Sequence, residues 1–371
     1  MATVGSTSAP STNTVYYDAL LSSTLDAVVG SGQLFDNIFK DSAFLAALRD
    51  KGAVIKQDGG ERIRAPLMYE GNSTVKSYSG EEVLDTTLQD GITTAFYDWR
   101  EVGGTIGITR KEERQNSGEA QLLGLLEAKI QQAQMQMRET LNSQLLAGTV
   151  SASTFVPGNS AKDLNPLGWF FRKDNQTDPT TGGNVGNIAG ATYSWWRHIT
   201  AVGDSSNTDT GNSFAISLSS YAGLKVFLRR LYNYCSRGSG GSPDLGVADQ
   251  ITFETYENSL DTQVRYTNTR MADMGFDSIM LRGATILWDE VVPSIDDGVA
   301  AASATDGTIF LLNTKFYKLV IDSQTDIVTT PFVTPENQNV RIAKILFMGN
   351  AIVSNMRKHG VGYGIPINIT S

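Results

Sequence analysis

Between Asn116 and Gly148 the chain reads NSGEAQLLGLLEAKIQQAQMQMRETLNSQLLAG, and no other stretch limits the fold as strongly. Leu122, Leu126, Ile130, Ala133, Met137, Leu141 and Leu145 recur at steps of three or four, which a helix gathers into one apolar stripe. Asn116, with Glu119 three residues on, is an N-cap signal, and Gly148 is a C-terminal stop. At 1.5 Å per residue, about 29 residues make a rod of roughly 43 Å. The opposite face is rich in Gln and poor in charge, and the stripe lacks strict heptads with charged flanks. A long helix lying across a sheet is therefore expected, and not a coiled coil.

The segment before this helix has the opposite character. From about Ala53 to Arg110, ERIRAPLMYEG and ITTAFYDWREVGGTIGIT read as strands, with Ile106 and Ile108 alternating with Gly107 and Thr109. Between them NSTVKSYSGEEVLDTTLQDG is polar and has no core of its own. A two-stranded extension of this length is marginal alone, so it must fold back on the body or lie on another molecule. Further upstream, Leu34, Phe35, Ile38 and Phe39, then Phe44, Leu45 and Leu48, recur at helical spacing and need a partner surface. Residues 1–14 are uncharged and rich in Ser and Thr, as a tail would be.

After the helix, residues 149–213 are loop-like, interrupted by PLGWFF and TYSWWRHIT. Loops this long inside a compact domain are commonly functional or bind a partner. The adjacent Trp195 and Trp196 are read as strand residues. Tyr193 and Trp195 then share one face and Trp196 takes the other. One face is expected to pack within its own domain, the other on the long helix or a neighbouring subunit. The remainder mixes helices and strands without a regular βαβ repeat. SLSSYAGLKVFLRRLYNYCSRG reads as an amphipathic helix closed by Gly238, and QITFETYENSLDTQVRY as a strand turning into a helix. SIMLRGATILWDEVV, GTIFLLNTKFYKLVI and VRIAKILFMGNAIVSNMRK read as strands. The fold class is α+β.

Chemistry is sparse. The 30 basic and 39 acidic residues give a net charge of −9, which argues against a surface built to grip nucleic acid but permits a wall that faces it. A single cysteine, Cys235, rules out an intrachain disulfide, and two histidines, His198 and His359, make a His-based metal site unexpected. No run approaches the roughly 20 apolar residues of a membrane helix. The first cation is Lys40, so no secretory or transit signal is read, and a cytoplasmic origin is the default. There is no GxxxxGK[ST], HExxH, GxSxG or CxxC motif. GVGYG, Gly360–Gly364, is read as a turn between strands, KEER, Lys111–Arg114, as a solvated turn, and His198 as a hydrogen-bonded structural residue. The acidic pairs Glu81/Glu82 and Asp289/Glu290 are no more than chance neighbours among so many acids. No enzyme and no cofactor is expected.

The order of elements is itself informative: an arm, a two-stranded extension, a very long helix, then a mixed domain. It resembles the major capsid protein of tailed bacteriophages, the HK97-like fold family. NVGNIAGATYSWWRHIT resembles a Gly-Gly-Ile…Tyr-x-Trp-Trp-Arg segment of these proteins, with Asn187 where the second glycine is frequent. GTIFLLNTKFYKLVI resembles their Leu-Asn-Thr-Lys-Tyr run, with Phe316 before Tyr317. ENQNVRIAKILFMGNAIVSNMRKHGVGYGI resembles their closing strand.

The resemblance implies an N-terminal arm (1–52) and a two-stranded E-loop (53–110). It further implies a peripheral domain (111–215) with a spine helix at 117–147, an axial domain (216–330) and return strands (331–371). Such subunits assemble as hexamers and pentamers into an icosahedral head around double-stranded DNA that is not read by sequence. Scaffold, portal and decoration proteins are the implied further partners, with assembly in the host cytoplasm. The start at Met1 suggests that no scaffold segment has been removed. Phe35, Phe39, Phe44, Tyr69, Trp99, Leu126, Ile130, Met137, Tyr193, Trp195, Trp196 and Arg197 are the residues expected to carry packing and assembly. An encapsulin-like compartment enclosing protein cargo is the alternative within the fold, and an acidic soluble hydrolase the alternative outside it.

Overall fold

The computed structural model describes residues 42–115, 125–147, 149–151, 154–156, 162–171, 185–190, 192–203, 208–210, 213–260, 278–293, 306–336, 338–367 and 369. Phe35, Phe39, Asn116, Glu119, Leu122 and Gly148 lie outside these residues, as does the side chain of Leu126. In chain order the elements begin with α1 (Ala43–Asp50), β1 (Val54–Gln57), β2 (Ile63–Met68), β3 (Ile92–Tyr97) and β4 (Arg100–Thr109). Next come α2 (Arg110–Gln115), α3 (Leu125–Leu146), β5 (Thr149–Ser151), β6 (Thr154–Val156) and α4 (Leu167–Phe170). They continue with β7 (Ile199–Gly203), β8 (Thr208–Thr210), β9 (Ser213–Ile216), α5 (Tyr221–Ser236), β10 (Leu245–Ala248) and α6 (Gln250–Ser259). The rest are β11 (Ser278–Leu281), β12 (Ala284–Trp288), β13 (Gly307–Leu312), β14 (Tyr317–Asp322), β15 (Val328–Thr329), β16 (Val340–Val353) and β17 (Gly360–Ile365).

The chain forms two compact units, the larger from 42–100, 141–323 and 349–371 and the smaller including 101–140 and 324–348. The larger unit is built on a sheet of order β11-β12-β10-β13-β17-β7-β9-β8. Helix α5 covers it with Leu224, Phe227, Leu228 and Leu231, all fully buried, and Ser220 caps the helix by accepting from the Gly223 N–H. GVGYG is no turn: it is the body of β17, antiparallel to β13 and parallel to β7. Its glycines serve close approach. A Cβ on Gly360 would stand 2.7 Å from both Cys235 Sγ and Leu231 Cδ1, and one on Gly362 would stand 2.9 Å from Phe227.

QITFETYENS is helical from its first residue, because Asp249 accepts from the Thr252 N–H at 2.9 Å and caps it. The β-branched Ile251, Thr252 and Thr255 suggest a strand, but the cap overrides their propensity. In the same unit β14 lies between parallel β1 and the antiparallel end of β16. The extension is the pair β2–β3, registered from Ile63↔Tyr97 to Met68↔Ile92. Its base is anchored by Tyr97, whose hydroxyl donates to the Val353 carbonyl at 2.7 Å.

In the smaller unit β4 and β15 both pair with β16. Ile106 and Ile108 are buried and their neighbours more exposed, as the alternation requires. Ala133 and Met137 of α3 share a groove with Gly104 and Ile106 of β4. The long helix therefore does lie over a strand. KEER is not a solvated turn but part of α2. The Glu112 carboxylate accepts from the Thr109 N–H, and the Thr109 hydroxyl from the Glu112 N–H, a reciprocal capping box. Glu112 is buried and meets the Lys129 ammonium at 3.4 Å.

Candidate functional site

The tryptophan pair does not lie in a strand. Trp196 N–H donates to the Tyr193 carbonyl at 2.9 Å and closes a 3₁₀ turn over Ser194–Trp196. Opposed strand faces are replaced by side chains fanned around one tight turn. Trp196 is buried, and its indole N–H donates to the Val185 carbonyl at 3.0 Å. Trp195 is half-buried and stacks on Tyr69, the residue that follows β2, with ring centroids 5.2 Å apart. Tyr193 is 47% exposed and leans on Trp195 at 5.9 Å. Arg197 donates through Nε to the Gly190 carbonyl at 2.7 Å. The preceding turn needs a left-handed residue, and Asn187 takes it at φ 65, where asparagine is the best substitute for glycine.

Changing Trp196 to alanine is expected to cost ~3–5 kcal/mol, as for other large buried aromatics. Trp195→Ala is expected to cost less than half of that, since part of its surface is already wet. Chemical denaturation of both variants checks the ranking, and equal losses would contradict it.

The other expected residues are spread through the molecule. Phe44 is fully buried against Tyr317 at 6.3 Å. Trp99 donates to the Gly60 carbonyl at 2.9 Å. Ile130 is half-buried and Met137 buried on α3. Only Tyr69, Tyr193, Trp195, Trp196 and Arg197 gather, where the extension leaves the body.

Beside them lies a recess of about 510 Å³ that the sequence reading missed. Its walls include Tyr69, Trp195 and Phe316 together with Arg237, Arg357 and Lys358, and its lining holds no carboxylate. Lys358 is nearly inaccessible and donates to the carbonyls of Arg237, Gly238 and Gly241 at 2.9, 3.2 and 3.2 Å. Burial lowers its pKa. Arg237 lies over the Tyr234 ring at 3.6 Å. The only sequence signals are the single Arg237 and the basic pair Arg357-Lys358, which nothing local connects.

Beyond Met68 the extension has no regular structure up to Ile92. There Met68, Val75, Tyr78, Val83, Leu84, Leu88 and Ile92 are all exposed, Leu88 to 98%. At about 25 cal/mol per Å², leaving such side chains in water forgoes ~1.5–3 kcal/mol each. An exposed apolar run of this kind marks an interaction surface.

The two histidines and the single cysteine are structural. His198 and His359 are both buried, and His359 accepts from the Asn313 N–H through Nδ1 at 3.2 Å. Burial, helped by His198, lowers the His359 pKa to about 3, so the ring is neutral. The Cys235 thiol is buried and its pKa is pushed up. Among the described residues no group of three or more His, Cys, Asp or Glu is placed to hold a metal, and no helix is long and apolar enough to cross a membrane.

No family model and no curated protein matches the chain in sequence. Solved structures do. The capsid asymmetric unit of cyanophage A-1(L) aligns with a TM-score of 0.61 at 15% identity, over 92% of this chain and 97% of that one. The SrpI encapsulin of Synechococcus elongatus aligns with a TM-score of 0.51 at 8% identity, over 91% and 95%. The fold is HK97-like. At these identities the likeness carries the fold and transfers no residue role.

Proposed function

We propose that the chain is the structural subunit of a closed protein shell, assembled as hexamers and pentamers into a phage head around double-stranded DNA. The observation that carries this reading is the run of exposed apolar side chains between Met68 and Ile92, on a segment without regular structure that links β2 to β3. Such a segment needs a covering surface, and a neighbouring copy supplies one at every subunit. The HK97-like fold supports the same conclusion. The arm at 1–52, E-loop at 53–110, peripheral domain at 111–215, axial domain at 216–330 and return strands at 331–371 are the working division of that subunit. A net charge of −9 suits a wall that faces packed DNA without holding it.

The likeness to SrpI favours a second reading, a compartment that encloses protein. Nuclease-protected DNA in purified particles supports the head, and co-purifying protein without DNA the compartment. Scaffold, portal and decoration proteins are partners only in the first case.

Replacing residues 70–90 by a short Gly-Ser linker tests the role of the extension. The expected result is a folded subunit, with unchanged circular dichroism in the helical bands, that no longer forms particles. Normal particles from this variant would contradict it.

A further inference from the structure

The recess beside Trp195 is cationic in a chain whose balance is acidic. Arg237, Arg357 and Lys358 line it, no Asp or Glu does, and Tyr69, Trp195 and Phe316 provide an aromatic wall. Three Lys358 donors are already committed to carbonyls, which leaves the exposed Arg237 and Arg357 to meet an occupant. The occupant must be anionic and partly apolar.

The chain carries a segment of that chemistry. Ser79 to Asp90 holds Glu81, Glu82, Asp85 and Asp90 and no cation. Val83, Leu84 and Leu88 stand out from it, 86%, 51% and 98% exposed. The segment is partly shaped in advance. Glu82 accepts from the Ser79 N–H at 3.2 Å, and Asp85 accepts from the N–H and hydroxyl of Thr87 at 3.0 and 2.6 Å. Preformed turns lower the ordering entropy of docking.

We propose that the recess at the root of each extension receives the acidic, apolar segment 79–90 of a second copy of the chain. Glu81 and Glu82 face Arg237 and Arg357, while Val83 and Leu84 cover the Tyr69–Trp195 stack and Phe316. This rests on the shell reading and names the contact by which one subunit holds the next. Charge complementarity sets the register of the contact, and the aromatic wall supplies the apolar area.

Two measurements test it. Chains carrying Glu82→Cys are mixed with chains carrying Ser239→Cys under mild oxidation, the native Cys235 being buried and silent. A disulfide-linked pair of different chains is expected. Particles that form without any such pair overturn the proposal and leave the shell reading intact. Separately, a synthetic peptide of residues 79–90 is titrated against the unassembled full chain and followed by tryptophan fluorescence. Saturable binding is expected, weakened by salt and by at least about tenfold in Arg237→Glu/Arg357→Glu. A peptide in which Glu81 and Glu82 are lysine should regain affinity for that variant. Absence of binding, or binding indifferent to both charge reversals, overturns the proposal even where the chain forms no particle and the shell reading itself fails.

Discussion

Gly203→Ala is expected to destabilise the chain by more than ~3 kcal/mol, at the upper end of what overpacking causes. Gly203 ends β7, which is paired in parallel with both β17 and β9. A Cβ there would lie 2.0 Å from the Gly364 carbonyl oxygen, 2.8 Å from its carbon and 2.6 Å from Leu218 Cδ1. The leucine could turn aside, but the Gly364 backbone is held within the sheet, so β7 and β17 must separate. Gly80→Ala is the matched control, because a Cβ at that position meets nothing within 4 Å. Thermal melting should show a drop of roughly 5 °C or more for Gly203→Ala. No measurable drop is expected for the control. Equal melting of the two variants would contradict the close approach of β7 and β17.

The second large effect is acid lability. His359 is fully buried, stacked on Phe171 at 4.8 Å and edge-on to Tyr317 at 6.4 Å. Its Nδ1 accepts from the Asn313 N–H, so the neutral ring already carries its proton on Nε2, and a second proton on Nδ1 would break that hydrogen bond and bury a charge with no acceptor for Nε2–H among the described residues. With the folded pKa lowered to about 3 and an unfolded value near 6.5, the unfolded chain binds the extra proton first. The stability this group contributes is complete above about pH 6.5 and is lost as pH falls, at ~1.4 kcal/mol per pH unit. Between pH 7.5 and pH 5 the native chain should therefore lose ~2 kcal/mol more than His359→Asn, whose shared carboxylates titrate alike. Urea midpoints of the unassembled chains at both pH values give the comparison. Parallel losses in the two chains would show that His359 is not the acid-sensitive group.

Where local pattern decides structure, the sequence is readable. Ile106 and Ile108 alternate into the interior of β4, and Ser220 and the apolar spacing of Leu224, Phe227, Leu228 and Leu231 define α5. The apolar spacing marks the long helix, and its members Ala133 and Met137 lie on the face turned to β4. The HK97-like fold follows from the order of such elements.

Where a distant neighbour decides, the reading fails. GVGYG has the composition of a turn, but its glycines answer to the side chains of α5 that lie on them. Trp195 and Trp196 have strand-like propensity, yet the structure places them in a 3₁₀ turn tied to Val185 and Tyr69. Lys358 finds its carbonyls more than a hundred residues away in the chain, so nothing beside it announces the cationic recess. The Thr109–Glu112 capping box is different. Its T-x-x-E spacing is local and legible, although the charged run beside it has the composition of a solvated turn.

Central to the account is that copies of this chain cover one another's extensions in a closed shell. Negative-stain electron microscopy of the purified full chain, with its sedimentation profile, tests this most directly. Closed particles, or five- and six-fold rings at lower concentration, are the predicted result. A species that sediments as a single chain at every concentration, and stays so in crowding agents and with its scaffold supplied, would contradict it.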